Sequence, residues 1–290
     1  MAYRITHTTA YEYTEPVSIC HNEARLTPRS TERQRLVRSQ LLVDPGVQTM
    51  DQDRDYFGNT VHYFSLTEAH RTLRVTAVSD VELEPYEPPD VATSEPWEEL
   101  RDASFDTRAR DELTALELTF DSPHVRPDPA LVAFAGPSFS PGRPLLEGAL
   151  ELTRRIHRDF QYEPGSTHVA TPLSEVLKTR RGVCQDFAHL QIAMLRALGL
   201  PARYVSGYVY NRPSGDGPAT SGADASHAWV GLYSARLGWV DFDPTNGVIP
   251  TDEHVTLGWG RDFSDASPLK GVILGGGDHT VRVAVDMVRV

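Results

Sequence analysis

The chain has 290 residues, of which 40% are hydrophobic and 23% charged, and its formal net charge is -12 at pH 7. This composition is typical of a soluble globular protein with room for two modest domains, and no apolar run approaches the roughly 20 residues of a membrane-spanning helix. The acidic balance disfavours nucleic acids and anionic membranes as partners, because both select basic surfaces.

The start of the chain and its cysteines indicate a cytoplasmic protein. The first residues alternate between polar and apolar types and lack the apolar core of a signal peptide. The two cysteines, Cys20 and Cys184, are far apart in sequence. That spacing argues against a disulfide framework and fits a reducing compartment, with Cys20 as a structural residue.

Residues 1–85 are predicted to form an N-terminal β-sandwich domain. Its first strand alternates from Tyr3 to Tyr13 and is predicted to end near Pro16. Further strands, each bounded by turn residues, are predicted at 41–43, 61–66 and 73–81.

Residues 86–144 are rich in Pro, Asp and Glu and are predicted to be a connector with short helices around 94–103 and 108–119. Residues 145–290 are predicted to be a second domain. Its predicted elements are helices at 145–160, 172–179 and from 184 to about 198, a buried strand at 202–210 and a strand at 281–288. The last strand can return to either sheet. Residues 211–224 have the composition of a mobile loop that borders the substrate entrance.

The stretch around Cys184 has two interpretations. A glycine precedes the cysteine by two residues, and apolar residues then recur at helical spacing up to the stop signals Gly199 and Pro201. A thiol in the first turn of a helix is exposed to the positive end of the helix dipole, which favours a reactive thiolate, and Arg180 and Arg181 can add to that effect. The other interpretation is a small residue of a hydrophobic core.

The segment 226–247 indicates a β-hairpin. His227 and Trp229 alternate with an aliphatic face on the first arm, and Asp241 and Asp243 share the equivalent face of the second arm. A hairpin symmetric about Ala235 places His227 directly opposite Asp243, within reach of a hydrogen bond, and a bulge at the turn would shift the register by one. A thiol, an imidazole and a carboxylate are the parts that a thiol nucleophile requires.

The sequence resembles the transglutaminase-like superfamily, with its papain-like core, and in particular its bacterial members. The resemblance rests on four motifs in the family's order of Cys, His and Asp: Arg181 to His189, Ala202 to Tyr208, His227 to Trp229, and Asp243 to Asn246. Residues 1–81 resemble the β-rich N-terminal region of the bacterial members, and residues 260–263 with 275–277 resemble their tail. The implied fold is α+β, with a helix-borne cysteine packed on an antiparallel sheet.

The resemblance implies a cysteine-dependent enzyme that forms a thioester from an amide. Cys184 is the expected nucleophile, His227 the base and Asp243 the residue that orients the base. Residue His189 is a rival base, but it lies about 140° around the helix from the thiol. Further candidates for substrate or oxyanion contacts are Gln185, Asp186, Trp229, Arg261 and Asp262, of which the last two can equally form a structural pair.

Three functions remain open from the sequence. The thioester reacts either with an amine, which is transamidation, or with water, which is amidase or peptidase activity; a non-catalytic binding module is the third. The expected partner is a protein or peptide with a glutamine or another amide. No cofactor or metal is expected, because no histidine or carboxylate cluster has ligand spacing along the chain. Calcium is the first cation to test, since animal members of the family depend on it.

Overall fold

The structure, a computed structural model, describes residues 1–103, 105, 108–210 and 226–290. The strands are β1 (Ala2–Ala24), β2 (Gln34–Asp44), β3 (Met50–Arg54), β4 (Thr60–Leu66), β5 (His70–Leu83), β6 (Gln161–Tyr162), β7 (Arg181–Gly182), β8 (Ala202–Val209), β9 (His227–Ser234), β10 (Gly238–Phe242), β11 (His254–Gly260), β12 (Leu269–Gly275) and β13 (His279–Arg289). The helices are α1 (Trp97–Arg101), α2 (Arg110–Glu117), α3 (Pro129–Ala135), α4 (Leu145–Asp159), α5 (Leu173–Thr179), α6 (Cys184–Ala197) and α7 (Phe263–Ala266). The class is therefore α+β.

The first sheet has seven strands and is organised around β1, which is 23 residues long. Residues 3–13 of β1 lie between β5 and β13, and residues 17–24 pair with β12 on one side, with β4 beside residues 20–24. Strands β2 and β3 complete the path β2-β5-β1-β4-β3. The region predicted as a β-sandwich thus belongs to one continuous hydrogen-bonded sheet, and β12 and β13 from the other end of the chain lie in the same sheet.

The prediction that the first strand ends near Pro16 is wrong, because β1 continues to Ala24. Proline lacks a backbone N–H and interrupts a strand only where a ladder hydrogen bond is required. The pairing of β1 with β5 shifts register between Glu12 and Val17. Pro16 therefore lies where β1 exchanges one set of neighbours for another, and no donor is needed there.

The second sheet is antiparallel with the order β10-β9-β8-β11, and helix α6 packs against β8 and β9. Helices α3, α4 and α5 also pack against α6. The shared core consists of fully buried aliphatic and aromatic side chains, which include Leu146, Leu152, Leu190, Val230, Leu232 and Phe242. The sheet therefore gives α6, and with it Cys184, a rigid support.

The first sheet is joined to the second at β11 by two side-chain amides. Gln34 accepts the Thr256 N–H at 2.7 Å and donates to the Thr256 carbonyl at 2.7 Å. Asn59 likewise accepts the Trp259 N–H at 3.0 Å and donates to the Trp259 carbonyl at 2.8 Å. These amides satisfy the outer edge of β11 as a neighbouring strand would, and we call the four residues the amide clasp. Beside the clasp, three side chains of the second sheet enter the core of the first: Tyr208, Val255 and Leu257.

The connector contains helices close to those predicted, α1 and α2, and also α3, which the sequence did not predict. Helix α3 is capped by the Asp128 side chain, which accepts the N–H of Ala130. The predicted loop at 211–224 lies outside the described residues. Among the helices that the structure describes, none is long and apolar enough to cross a membrane.

Candidate active site

Cys184 is the first residue of α6, and the backbone that leads into it is held by the same helix. The Asp186 carboxylate accepts the N–H of Val183 at 2.8 Å, so a residue of the first turn caps the entry to the helix. Glycine suits position 182, because a Cβ there would come 2.8 Å from Oδ2 of Asp186. The local sequence thereby fixes the position of the thiol.

The thiol of Cys184 occupies a polarised environment. The residue is half-buried, and its Sγ lies 3.9 Å from the carbonyl oxygen of Ser226, which directly precedes β9. The N–H groups of a first helical turn have no intrahelical acceptor and form the positive end of the helix dipole. A thiolate is stabilised at such a position, and the Cys184 N–H is available to stabilise an oxyanion.

His227, the first residue of β9, lies between this thiol and a carboxylate. Its Nε2 is 2.8 Å from Oδ2 of Asp243, and the ring also interacts electrostatically with the Cys184 thiol. Because a carboxylate only accepts, Nε2 carries a hydrogen and Nδ1 is the nitrogen left for the thiol. Burial alone would lower the pKa of His227, but the hydrogen bond with Asp243 and the interaction with Cys184 together raise it to about 10.

Asp243 follows β10, is fully buried and receives donors on both oxygens. Its Oδ1 accepts the backbone N–H groups of Thr245 at 2.9 Å and Asn246 at 3.2 Å. Its Oδ2 accepts from His227, from the Asn246 amide at 2.7 Å and from His254 at 3.1 Å. Burial alone would raise the pKa of this carboxyl, but the bonds from the two histidines hold it well below its usual range. The carboxylate is therefore a charged acceptor.

The predicted register of the hairpin is wrong by two residues, although the predicted faces are right. Gly238 pairs with Ser234 and Phe242 with Val230, so Asp243 does not lie directly opposite His227. The loop of three residues, Ala235 to Leu237, ends at Gly238, which has a positive φ of 71°. A shift of two preserves the side-chain face, so the imidazole reaches the carboxylate diagonally.

His189 is unsuited to the role of base. It is buried, and its Nε2 accepts the N–H of Phe263 at 3.1 Å. Its ring stacks on His124 with centroids 5.4 Å apart. Burial lowers the pKa of His189 to about 3, which fixes it as a neutral acceptor that ties α6 to α7.

The candidate substrate-contact residues near the thiol differ in how exposed they are. Gln185 is partly exposed in the first turn of α6, where it borders the thiol. Asp186 is buried, and besides the Val183 N–H it accepts from the Thr167 hydroxyl at 2.6 Å; burial raises its pKa against these bonds. Trp229 is 1% exposed and its Nε1 donates to Asp241 at 2.9 Å. The indole therefore packs behind His227 and does not wall an open pocket.

The charged residues that were predicted to act at the thiol or the substrate interact with other residues of the protein. Arg261 forms an ion pair with Asp265 at 2.8 Å, and fully buried Asp262 caps α7 through the N–H of Ser264. These two are therefore not paired with each other. Of the two arginines upstream of the cysteine, Arg181 pairs with Glu163 at 3.2 Å. Arg180 lies over two aromatic rings, those of Phe134 and Phe160.

Two residues at the site had no role in the sequence analysis, His254 and Asn246. His227, Asp243 and His254 each offer a ligand atom within 4.8 Å of the others, a cluster that the search for ligand spacing along the chain missed. In the structure both Nε2 atoms donate to one carboxylate oxygen, which makes the three a hydrogen-bond network. Two imidazoles also differ from the all-oxygen ligand set that Ca²⁺ prefers.

The arrangement can activate a thiol toward a carbonyl. The imidazole can take the thiol proton through Nδ1, the carboxylate stabilises the resulting imidazolium, and the helix start stabilises the thiolate. The same imidazolium can return its proton to a leaving amine. These are the steps of acyl transfer from an amide.

Comparisons with known proteins agree with this chemistry. The family profile "Bacterial transglutaminase-like N-terminal region" matches residues 3–82, and the profile "Transglutaminase-like superfamily" matches residues 133–244. An uncharacterized protein of Mycobacterium tuberculosis is 41% identical over 295 residues, which cover 99% of this chain and 92% of the relative. An uncharacterized protein of Mycobacterium leprae is 35% identical over 287 residues, covering 99% and 98%.

Two further comparisons are with proteins that carry a functional description. A protein-glutamine gamma-glutamyltransferase of Pseudomonas aeruginosa is 36% identical over 103 residues, which cover 34% of this chain and 15% of that protein. The crystal structure of a candidate cysteine protease from Cytophaga hutchinsonii shares the fold with a TM-score of 0.78 and 23% identity, covering 100% of this chain and 90% of that one. The chain belongs to the transglutaminase-like superfamily, and this membership supports a cysteine-based enzyme that acts on amides.

Proposed function

We propose that this enzyme transfers the acyl group of an amide, in a protein or peptide substrate, through a thioester on Cys184. The observation that carries the proposal is the position of His227, which interacts with the Cys184 thiol on one side and lies 2.8 Å from buried Asp243 on the other. This pairing gives the thiol a base, and it gives the base a fixed orientation.

In the proposed reaction the Cys184 thiolate attacks the amide carbonyl carbon. The Cys184 N–H stabilises the oxyanion, the C–N bond breaks, and the His227 imidazolium gives its proton to the departing amine. A primary amine then attacks the thioester and transfers a proton to His227. The C–S bond breaks, the new amide departs, and the Cys184 thiolate and His227 imidazolium are restored. Asp243 keeps the hydrogen of His227 on Nε2 throughout.

Transfer to an amine is the favoured second step. The similarity to the Pseudomonas protein-glutamine gamma-glutamyltransferase supports it, and that similarity makes a glutamine side chain the first acyl donor to test. Water in place of the amine would give hydrolysis by the same three residues.

The test is incubation with a glutamine-containing peptide library, with and without a primary amine, followed by mass spectrometry. Transamidation replaces ammonia by the amine, hydrolysis of the side chain yields glutamate, and peptidase activity yields shorter fragments. The Cys184→Ala protein is the control. If the wild type produces none of these products beyond the control level while its thiol reacts no faster than that of free cysteine, the enzyme mechanism is refuted.

A further inference from the structure

One carboxylate oxygen of Asp243 accepts hydrogen bonds from two imidazoles. Its Oδ2 accepts from Nε2 of His227 at 2.8 Å, from Nε2 of His254 at 3.1 Å and from the Asn246 amide at 2.7 Å. A carboxylate oxygen has two lone-pair directions, so three donors must share its accepting capacity. The hydrogen bond to His227 is therefore weaker than it would be without the other two.

His254 is placed for this contact by its surroundings. It is the first residue of β11, its side chain is 7% exposed, and its ring meets the Trp229 indole edge to face with centroids 5.4 Å apart. Because the carboxylate only accepts, Nε2 of His254 carries a hydrogen. Its Nδ1 has no hydrogen-bond partner among the residues that the structure describes.

The far side of the His254 ring borders a small cavity of about 30 Å³. The charged and titratable residues that line this cavity are Arg33, Glu84, Tyr86 and Asp252. Together with Asp243 and His227 they are the groups that face His254. Arg33, Glu84 and Tyr86 lie next to the ends of β2 and β5, and Asp252 lies just before β11, so the cavity is between the first sheet and β11.

We propose that His254 is a positioning residue which shares the acceptor oxygen of Asp243 and thereby limits how firmly Asp243 holds the His227 imidazolium. The inference rests on the proposed function of Cys184 and His227. In that reaction His227 must retain a proton to keep the thiolate and must then release it to the leaving amine. A carboxylate committed to His227 alone would favour retention and slow release.

The proposal predicts a direction that a packing role would not produce. Removing His254 leaves Asp243 with fewer donors, which strengthens its bond to His227 and stabilises the imidazolium. The alkaline step in the pH profile of Cys184 alkylation, where the imidazolium loses its proton, should move to higher pH. The turnover number kcat should fall several-fold at neutral pH, whereas KM should stay the same, because His254 does not touch substrate.

The experiment compares three variants by iodoacetamide alkylation of Cys184 between pH 5 and pH 11.5, with the labelled peptide identified by mass spectrometry. His254→Leu should raise the alkaline step by about half to one pH unit. His254→Asn should raise the alkaline step in the same way, because the asparagine amide ends near the position of the histidine Nδ1 and does not reach Oδ2 of Asp243. This variant takes the place of His254→Leu if the leucine variant does not fold. His254→Gln restores a donor near Nε2 and should return the step to the wild-type value.

A His227→Ala protein distinguishes a failure of the proposed function from a failure of the role proposed for His254. If its alkylation profile equals that of the wild type, Cys184 and His227 are not a pair and the proposed function fails. If His227→Ala alters the profile while His254→Leu and His254→Asn leave the alkaline step unchanged or lower it, the proposed function stands and the role of His254 is refuted. Unfolding midpoints of all variants show whether a change in profile reflects lost stability.

Discussion

The molecule contains two pairs of cysteine and histidine, one in each sheet region, and only one of them is equipped for chemistry. In the first sheet, Cys20 lies on β1 with its Sγ 3.8 Å from Nε2 of His70, whose Nδ1 is 2.8 Å from the carbonyl oxygen of Glu68. At the start of α6, Cys184 interacts electrostatically with His227, whose Nε2 is 2.8 Å from Oδ2 of Asp243.

The two pairs differ in three physical respects. Cys20 is completely buried in a strand, whereas Cys184 is half-buried at the positive end of a helix. His70 is oriented by a neutral carbonyl, which fixes its tautomer and supplies no charge, whereas the Asp243 carboxylate raises the pKa of His227 to about 10 together with Cys184. Proximity of a thiol to an imidazole is thus insufficient for catalysis. Access to the thiol, the helix dipole and the carboxylate charge beside the imidazole distinguish the Cys184 pair from the Cys20 pair.

The largest expected effect is the asymmetry between the two cysteines. Cys184→Ala should lower turnover by roughly 10⁴-fold or more, because the nucleophile is lost, while an alanine still packs at the helix start. Cys20→Ala is the matched control and should keep wild-type turnover while it loses about 1 kcal/mol of stability from the small cavity. Steady-state kinetics and denaturant unfolding measure both; equal turnover of the two variants would contradict the distinction.

The charge behind His227 should have the next largest effect. Asp243→Asn preserves an acceptor but removes the charge that stabilises the imidazolium, so turnover should fall by about 10²- to 10⁴-fold, less than for Cys184→Ala. The kinetics are measured under the same conditions as for the cysteine variants. A loss below threefold would show that orientation of His227 suffices without the charge of Asp243.

The pKa shift of His227 predicts how the stability of the site depends on pH. Because its pKa is raised from 6.5 to about 10, the pair stabilises the folded state fully below pH 6.5 and loses that contribution as the pH rises toward 10. The stability difference between wild type and His227→Ala, from denaturant unfolding at several pH values, should therefore shrink as the pH rises. A difference that grows with pH for His227→Ala would overturn the assignment.

The smallest effect on turnover is expected at Asp241, two residues from Asp243 on the same face. Asp241 accepts from Trp229 and lies 3.7 Å from buried Arg203, so its charge offsets that of the guanidinium. Asp241→Asn should cost about 1 to 3 kcal/mol of stability, because it leaves a buried charge less compensated, and turnover should change little. A large loss of turnover in a stably folded Asp241→Asn protein would move the orienting role from Asp243 to Asp241.

The parts of the site that depend on local sequence could be predicted. The glycine before the cysteine and the helical spacing after it indicated the position of the thiol, and strict alternation placed His227 and Asp243 on one face. The prediction of the hairpin register failed because the turn ends with Gly238 at positive φ. The sequence alone did not decide among the possible loop types. His254 was not predicted, because β11 reaches the site only by pairing with β8 some 45 residues earlier in the chain. Nonlocal pairing of this kind has no signal in a single sequence.

The amide clasp has a consequence for any attempt to isolate the catalytic half. Cutting away residues 1–85 would remove Gln34 and Asn59 and leave the edge of β11 with free donors and acceptors beside exposed Val255 and Leu257. An open strand edge next to apolar surface is the arrangement from which chains pair with one another and aggregate. Strands β12 and β13 would lose their partner β1 as well, so a truncated enzyme should precipitate through uncovered strand edges although Cys184, His227 and Asp243 are all still present in the chain.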